Sequence, residues 1–257
     1  MSALLHLTNV GVRLGRRHVV DGVSLHADAG EFIALVGPNG AGKTSLLRAI
    51  AGLLPCEGEI LLGTEILQEL NASDRARHIS FMPQNGTLAW PMPVRDVVAI
   101  GRLPHEGTAK ARDDNAIIDD ALNHCGLAQL ADQNADHLSG GERMRVLLAR
   151  TLAVNAPILL LDEPVASLDP AWQLQVMELL STQAQAGRII LCVLHDLALA
   201  MRYASRMIIM RDGLLTADGK PRDLMPDLQN AFDLSFEVLE TSSGPTLHAQ
   251  RKERLRA

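Results

Sequence analysis

The first group of residues that could do chemistry is a glycine-rich segment matching the pattern G-x-x-x-x-G-K-S/T. It consists of Gly37, Pro38, Asn39, Gly40, Ala41, Gly42, Lys43 and Thr44, with Ser45 directly after it. Glycines let the backbone turn tightly, so that successive N–H groups face phosphate oxygens, and a helix that begins there adds about half a positive charge. We expect Lys43 to meet the β and γ phosphates of a nucleotide and the Thr44 hydroxyl to hold Mg²⁺.

Two adjacent acids, Asp162 and Glu163, end the apolar run Ile158–Leu161. Beside a phosphate loop, Asp162 could hold the Mg²⁺ shell and Glu163 could orient or deprotonate the attacking water, as phosphoanhydride hydrolysis needs. The alternative is a strand that ends in two solvent-facing acids, and the glycine-rich segment upstream favours the catalytic interpretation. The sequence has no guanine-specific Asn-Lys-x-Asp string, which sets GTPases aside but leaves small-molecule kinases, helicases and transport ATPases open.

Strands and helices that alternate along the chain would position these residues. Buried strands are predicted at Phe32–Val36, Ile158–Asp162, Ile189–Leu194 and Met207–Met210, and helices at Thr44–Leu54 and Ala171–Gln185. This alternation predicts an α/β protein built around a mostly parallel sheet. Because open parallel sheets bind ligands at the carboxyl ends of their strands, the phosphate loop and Asp162 would meet at one edge.

Three further regions surround or interrupt this predicted sheet. Two antiparallel strands are predicted at one edge, at Leu4–Leu14 and Val19–His26. An inserted helical subdomain is predicted at residues 85–152. The helical patterns there are Val94–Ile100, Asp113–Cys125 and Gly141–Leu152. We expect one domain over residues 1–257, with core parts at 1–84 and 153–225 and a C-terminal extension at 226–257. The extension ends in Arg251, Lys252, Glu253, Arg254 and Arg256, for which we expect a solvated tail.

A second glycine-containing segment, Leu138-Ser139-Gly140-Gly141-Glu142, begins the last of these helical patterns. Ser139 followed three residues later by Glu142 is a capping box, which is the purely structural interpretation. Two consecutive glycines weaken the start of a helix, however, unless the backbone must approach something closely. The N-terminus of a capped helix is itself a site for phosphate.

In this position, about 95 residues after Lys43 and some two dozen before Asp162, Leu138–Glu142 resembles the signature motif of the ATP-binding cassette (ABC) family. It has the LSGGQ-like form with Glu as its last residue. The resemblance covers roughly Leu4 to Leu224, with five motifs in the family's order. It implies a P-loop NTPase core and an ATPase that uses Mg²⁺.

The resemblance also implies roles for residues that would otherwise be unremarkable. Gln84, which ends the strand-like stretch His78–Gln84, resembles the Q-loop glutamine that senses Mg²⁺ or water. Asp169, in Ser167-Leu168-Asp169, corresponds to the D-loop that crosses a dimer interface, and His195 to the switch histidine that contacts the γ-phosphate.

Two departures from the family pattern bear on these expectations. Val165 stands where Thr is common, and we expect the change to be tolerated. Val10–Arg16 holds no aromatic residue for stacking on adenine, and Leu14 is the nearest counterpart. We therefore expect aliphatic packing against the base and looser base selectivity.

The family's assembly is a head-to-tail homodimer, in which Ser139, Gly140, Gly141 and Glu142 would cover the ATP held by the partner subunit. The resemblance further implies a separate integral-membrane permease, an external binding protein that acts indirectly, and a location at the cytoplasmic face of the membrane. Val94–His105 is similar to the segment after the Q-loop in importer ATPases for iron-siderophores, haem and vitamin B12. A soluble non-transport ABC ATPase, another cargo and a regulatory subunit without hydrolysis remain alternatives.

Composition limits the other classes of function. Of 257 residues, 47% are hydrophobic, and no apolar run approaches the length that spans a bilayer. The 30 acids and 24 bases leave a net charge of −6, which disfavours a nucleic-acid partner. Cys56, Cys125 and Cys192 stand far apart and are expected to be reduced packing thiols, with no zinc site. Met1–Leu7 lacks the features of a secretory leader, and we expect none.

Overall fold

The computed structural model describes residues 5–86, 91–108, 111, 113–241 and 244–251. Within these residues the strands are β1 Leu5–Leu14, β2 Arg17–Ala27, β3 Phe32–Val36, β4 Glu57–Leu62, β5 Glu65–Ile66, β6 Ile79–Met82, β7 Ile158–Asp162, β8 Ile189–Val193, β9 Arg206–Arg211, β10 Leu214–Gly219, β11 Leu234–Thr241 and β12 Gly244–Arg251. The α-helices are α1 Lys43–Ile50, α2 Ala72–His78, α3 Val94–Ala99, α4 Asp114–His124, α5 Gly140–Ala153, α6 Pro170–Gln185, α7 Leu197–Tyr203 and α8 Met225–Phe232.

The main sheet has six strands in the order β10-β9-β3-β8-β7-β6. All neighbours from β9 to β6 are parallel, and β10 runs antiparallel to β9. Every residue of β3, β7 and β8 is buried, because helices and a second sheet cover both faces. The predicted α/β class and the four predicted buried strands are confirmed.

A four-stranded antiparallel sheet of order β2-β1-β4-β5 packs over one face of the main sheet. The predicted antiparallel pairing of the first two strands is confirmed, but they lie in this separate sheet and not at an edge of the main one. The cluster between the two sheets includes Leu35 of β3, Leu46 of α1 and Ile60 of β4, all fully buried. This packing fixes α1, and with it the loop before α1.

Helices α3, α4 and α5 pack together, as the helical patterns within residues 85–152 predict. Val98, Ile118 and Leu148, one from each helix, belong to the same buried cluster. The division of the chain into a core and a helical subdomain stays a prediction. Within this stretch, residues 87–90, 109–110 and 112 lie outside the described residues.

The C-terminal region is more ordered than its weak periodicity predicts. After α8, the strands β11 and β12 form an antiparallel hairpin. Phe236, Val238 and Leu247 of this hairpin pack against the main buried cluster. The solvated tail is expected for the basic ending, of which β12 reaches only Arg251, and residues 252–257 lie outside the described part, so that expectation stays a prediction.

All three cysteines are free thiols. Cys125 and Cys192 are buried, so their predicted role as packing thiols is confirmed, and Cys56 is partly buried. Burial raises the pKa of Cys125 to about 12 and the pKa of Cys192 well above its usual value. Across the described ranges, none of the helices is long and apolar enough to cross a membrane.

Candidate functional site

The phosphate loop occupies residues 37–42 and joins β3 to α1, as predicted. Gly37 has φ +146° and Gly42 has φ +100°, which are conformations that favour glycine. A Cβ atom on Gly37 would overlap with the carbonyl oxygen of Met210, and one on Gly42 with that of Val19. Both glycines are thus required for the loop to pass between β9 and β2, which brings the N-terminus of α1 to the edge of the sheet.

Lys43, the first residue of α1, is 6% exposed. Its Nζ donates to the carbonyl oxygens of Gly37 at 2.7 Å and Pro38 at 3.0 Å. Burial lowers the pKa of Lys43, while the nearby charges of Glu163 and Asp162 act in the opposite direction. The ammonium group is therefore held over the loop by two acceptors that phosphate oxygens can replace.

Asp162 ends β7 and is fully buried. Its Oδ1 accepts a hydrogen bond from the Thr44 hydroxyl at 3.1 Å, and its Oδ2 has no hydrogen-bond partner among the described residues. Burial raises the pKa of Asp162, and the hydrogen bond from Thr44 opposes that shift. A hydroxyl and a buried carboxylate with an unused oxygen are hard ligands of the kind that Mg²⁺ prefers, so this pair fits the metal.

Glu163 follows β7 directly and has φ +56°, which is uncommon for a residue with a side chain. Its backbone N–H donates to the carbonyl of Val193, the last residue of β8, at 3.3 Å. The Glu163 carboxylate lies 2.5 Å from Nε2 of His195. His195 follows Val193, the last residue of β8, by two positions. The side chains of Glu163 and His195 are 12% and 44% exposed. The strained backbone and the cross-strand bond therefore hold a carboxylate and an imidazole together at the end of the sheet.

These groups surround one cavity of about 650 Å³, a size that suits a small-molecule ligand. Its lining consists of Arg17, Val19, Asn39, Gly40, Ala41, Gly42, Lys43, Thr44, Ser45, Gln84, Glu163 and His195. The structure thus brings together the phosphate loop, the Q-loop glutamine, the second acid and the histidine, as predicted. Asp162 lies beneath the cavity and is linked to it through Thr44.

Two lining residues, Arg17 and Val19, were missed by the sequence analysis. Leu14 is 49% exposed and is not part of the lining, so the described cavity does not support it as the counterpart of the stacking aromatic residue. Both missed residues lie on β2, and the contact between Val19 and Gly42 brings that strand against the loop. No local pattern in the sequence indicates this contact.

The segment Ser139–Glu142 does not line the cavity of its own chain. Ser139 caps α5 through the predicted capping box: its N–H and hydroxyl donate to the Glu142 carboxylate at 2.8 and 2.6 Å. These hydrogen bonds lower the pKa of Glu142. A Cβ atom on Gly140 would meet nothing within 4 Å, and one on Gly141 only ordinary contacts at 3.6 Å. Nothing described in this chain requires either glycine, although glycine costs a helix about 1 kcal/mol relative to alanine.

Asp169 also lies outside the cavity lining. Its Oδ1 accepts hydrogen bonds from the backbone of Ala171 and Trp172 at 3.0 and 3.1 Å, which caps α6. The preceding residues Ser167 and Leu168 lie beside Gly141. The two predicted interface segments are therefore neighbours on the molecule.

A parallel sheet with a phosphate loop after one inner strand and two acids after another is the architecture of P-loop nucleoside triphosphatases, and this chain has that architecture. The chain belongs to the ABC transporter family, whose model matches residues 20–166. It is accordingly an ABC ATPase that binds ATP, as the sequence predicts.

Curated relatives resemble the chain over most of its length. It is 42% identical over 230 residues to the hemin import ATP-binding protein HmuV of Streptomyces coelicolor, which covers 88% of this chain and 82% of that protein. It is 40% identical over 238 residues to the cobalamin import ATP-binding protein BtuD of Halobacterium salinarum, with coverages of 91% and 60%. The chain thus spans less than two thirds of this second relative.

Solved structures share the fold. An inward-facing ABC transporter assigned to the metal-chelate type matches with a TM-score of 0.80 and 25% identity, and 97% of each chain is covered. A dimeric ATP-binding cassette in a post-hydrolysis state, bound to ADP and Pi, matches with a TM-score of 0.76 and 27% identity, over 85% of this chain and 99% of that one.

Proposed function

We propose that the chain is the ATP-hydrolysing subunit of an importer that carries a metal chelate, such as an iron-siderophore or haem, or cobalamin, through a separate permease. The observation that carries the hydrolytic part is the single cavity that collects Lys43, Thr44, Glu163 and His195. The names of the haem and cobalamin relatives support the class of cargo. The peripheral location at the cytoplasmic face follows from this role.

Each side chain in the cavity has a distinct part in the proposed hydrolysis. Lys43 and the N–H groups of the loop bind the phosphates of ATP, and Thr44, Asp162 and Gln84 are the residues that would hold Mg²⁺. When bound, Mg²⁺ neutralises charge on the phosphates. Glu163 orients the attacking water and takes its proton, while His195 holds the Glu163 carboxylate in place and contacts the γ-phosphate.

Two copies of the chain complete two sites in this proposal. Ser139, Gly140, Gly141 and Glu142, together with Asp169, lie outside their own cavity and face the triphosphate of the partner subunit. The two glycines support this arrangement because no described contact in their own chain requires them. A phosphate that lies against the helix N-terminus would require them, because the backbone must approach it closely. Since the Ser139 hydroxyl donates to Glu142 in the structure, it must turn to donate to the phosphate.

The permease is expected to dock near Gln84 and α3. Two exposed apolar side chains, Ile100 and Leu103, follow α3 directly and offer a surface for it. An external binding protein would act only through the permease. The proposed division of the chain places this surface on the helical subdomain at 85–152.

Reconstitution with the permease tests this function. The subunit and permease are co-purified, placed in liposomes, and assayed for ATP hydrolysis with binding protein loaded with haem, a ferric siderophore or cobalamin. We expect one of these loaded proteins to stimulate hydrolysis several-fold, and the Glu163→Gln variant to remove the stimulation. Hydrolysis at the same rate with and without permease and cargo would support a soluble non-transport ATPase. ATP binding without hydrolysis, both with and without the permease, would support a regulatory subunit.

The Arg17→Ala variant tests the contribution of the newly identified lining residue. A guanidinium group at an exposed site adds about 0.5–1 kcal/mol of stacking energy with an aromatic ring, and adenine would be the ring here. We expect the KM for ATP to rise about two- to five-fold with little change in kcat, because such binding is equal in the ground and transition states. Arg16→Ala, on the neighbouring residue outside the lining, is the control. An unchanged KM in steady-state assays would place Arg17 outside the nucleotide contacts.

A further inference from the structure

A short 3₁₀ segment, Ile100–His105, continues α3 and has two different faces. Ile100 and Leu103 are 38% and 55% exposed, whereas Arg102 and His105 are only 3% and 1% exposed. Buried charged and imidazole side chains need partners, and for both residues these include carbonyls at the end of α5.

Arg102 and His105 cap the C-terminal end of α5. Nη1 of Arg102 donates to the carbonyls of Ala153 at 2.8 Å and Val154 at 3.2 Å. Nε2 of His105 lies 2.8 Å from the Val154 carbonyl, and because a carbonyl only accepts, Nε2 carries the proton. The last carbonyls of a helix lack partners within it and carry partial negative charge, so these two donors satisfy the end of the helix.

The backbone of the segment also lies tightly against α5. A Cβ atom on Gly101 would overlap with the carbonyl oxygen of Arg150 and would stand 3.1 Å from Cβ of Ala153. Nε of Arg102 donates to Asp114 of α4 at 2.7 Å, which ties a third helix to the same point. A displacement of the segment is therefore transmitted to the end of α5.

Helix α5 connects this point to the signature segment. Ser139 caps its N-terminus, and one turn before its other end Ser80 of β6 donates to the Thr151 carbonyl at 2.7 Å. At 1.5 Å per residue, Thr151 lies about 4.5 Å from Val154 and about 18 Å from Ser139 along the axis. A tilt of the helix about the Ser80 contact would therefore move Ser139 about four times as far as Val154.

We propose that Arg102 and His105 are positioning residues that tie the exposed Ile100–Leu103 face to α5, so that the permease sets the position of the signature segment through them. The proposal rests on the proposed function, since it needs a permease that contacts this face. It differs from a catalytic role because neither residue lines the nucleotide cavity.

The variants Arg102→Met and His105→Ala test it, because both side chains lack a donor for the carbonyls at the end of α5. His105→Gln is the conservative rescue, since its amide can donate to the Val154 carbonyl. ATP hydrolysis is measured in the complex with the permease, and ATP-driven dimerisation is measured on the isolated subunit in the Glu163→Gln background. We expect kcat in the complex to fall at least about five-fold with the KM for ATP unchanged, while isolated dimerisation changes less than two-fold. His105→Gln should restore most of the activity.

Arg202→Met is the matched control, since Arg202 is an exposed arginine of α7 whose guanidinium lies over the Tyr203 ring, outside the proposed permease surface and with no bond to α5 given by the described contacts. Variants that keep normal kcat in the complex would overturn the proposal. Equal loss of isolated dimerisation and of activity in the complex would also overturn it, because that is the result of general structural damage. If the wild-type complex shows no stimulation by the permease, the proposed function itself fails, which is a different outcome.

Discussion

Replacing Lys43 by alanine is expected to weaken ATP binding by about 100- to 1000-fold. Hydrogen bonds to charged groups contribute about 1.5–3 kcal/mol each, and the Lys43 ammonium can make two of them to the β and γ phosphates. A loss of about 3–4 kcal/mol corresponds to this factor. The loss is large because the phosphates then meet the negative charges of Asp162 and Glu163 without the nearby Lys43 cation that offsets them.

Titration of the purified subunit with a fluorescent ATP analogue measures this change. Lys220→Ala is the control, because Lys220 is an exposed lysine outside the cavity lining. Thermal unfolding of the variant checks that the loop has kept its fold after Gly37 and Pro38 lose the ammonium group. Affinity within about three-fold of the wild type would show that Lys43 does not bind the phosphates.

The phosphate loop and its flanking elements could be predicted because their information is local. The loop needs glycines, a lysine and a hydroxyl in consecutive positions, and the apolar run of β3 directly precedes it. The same holds for β7, whose buried run ends in Asp162 and Glu163. In these places the residues that do chemistry and the element that carries them are neighbours in the sequence.

The separate antiparallel sheet could not be predicted in the same way. Apolar residues that recur at mostly two-residue spacing indicate that β1 is a strand but do not say which sheet it joins. β4 reaches β1 from some fifty residues away, and Gly58 packs there so closely that its Cβ would overlap with the backbone of Asn9. The β11–β12 hairpin was missed because its described side chains are at most partly buried and pack against a cluster assembled from many parts of the chain.

The sequence analysis missed the lining residues on β2 and the residues that cap α5 for the same reason. Arg17 enters the cavity because β2 lies against the phosphate loop, and the burial of Arg102 is explained by Asp114 together with carbonyls about fifty residues later. A lone arginine in a sequence is most often a solvated side chain. Its partner is a tertiary fact, so the chemistry of such residues becomes visible only in the fold.

The Glu163→Gln variant is expected to bind ATP normally and to hydrolyse it about 100- to 10,000-fold more slowly, the range that general base catalysis contributes. Glutamine has the same shape as glutamate, and its amide oxygen can still accept from Nε2 of His195, so the geometry at the end of β7 is kept. What the variant loses is the ability to take a proton from the attacking water. Phosphate release under saturating ATP measures the rate, with Glu69→Gln on an exposed glutamate as the control.

The same variant also reports on the proposed dimer. ATP holds the two subunits together in the proposal because its phosphates are bound by Lys43 of one copy and by Ser139 and Gly141 of the other. Without hydrolysis this connection persists, so light scattering should find an ATP-dependent dimer that the Lys43→Ala substitution abolishes. Near-normal turnover would remove Glu163 from the role of base. A monomer in the presence of ATP and the permease would leave the base role intact but contradict the shared site, because the unhydrolysed triphosphate would then lack its second set of contacts.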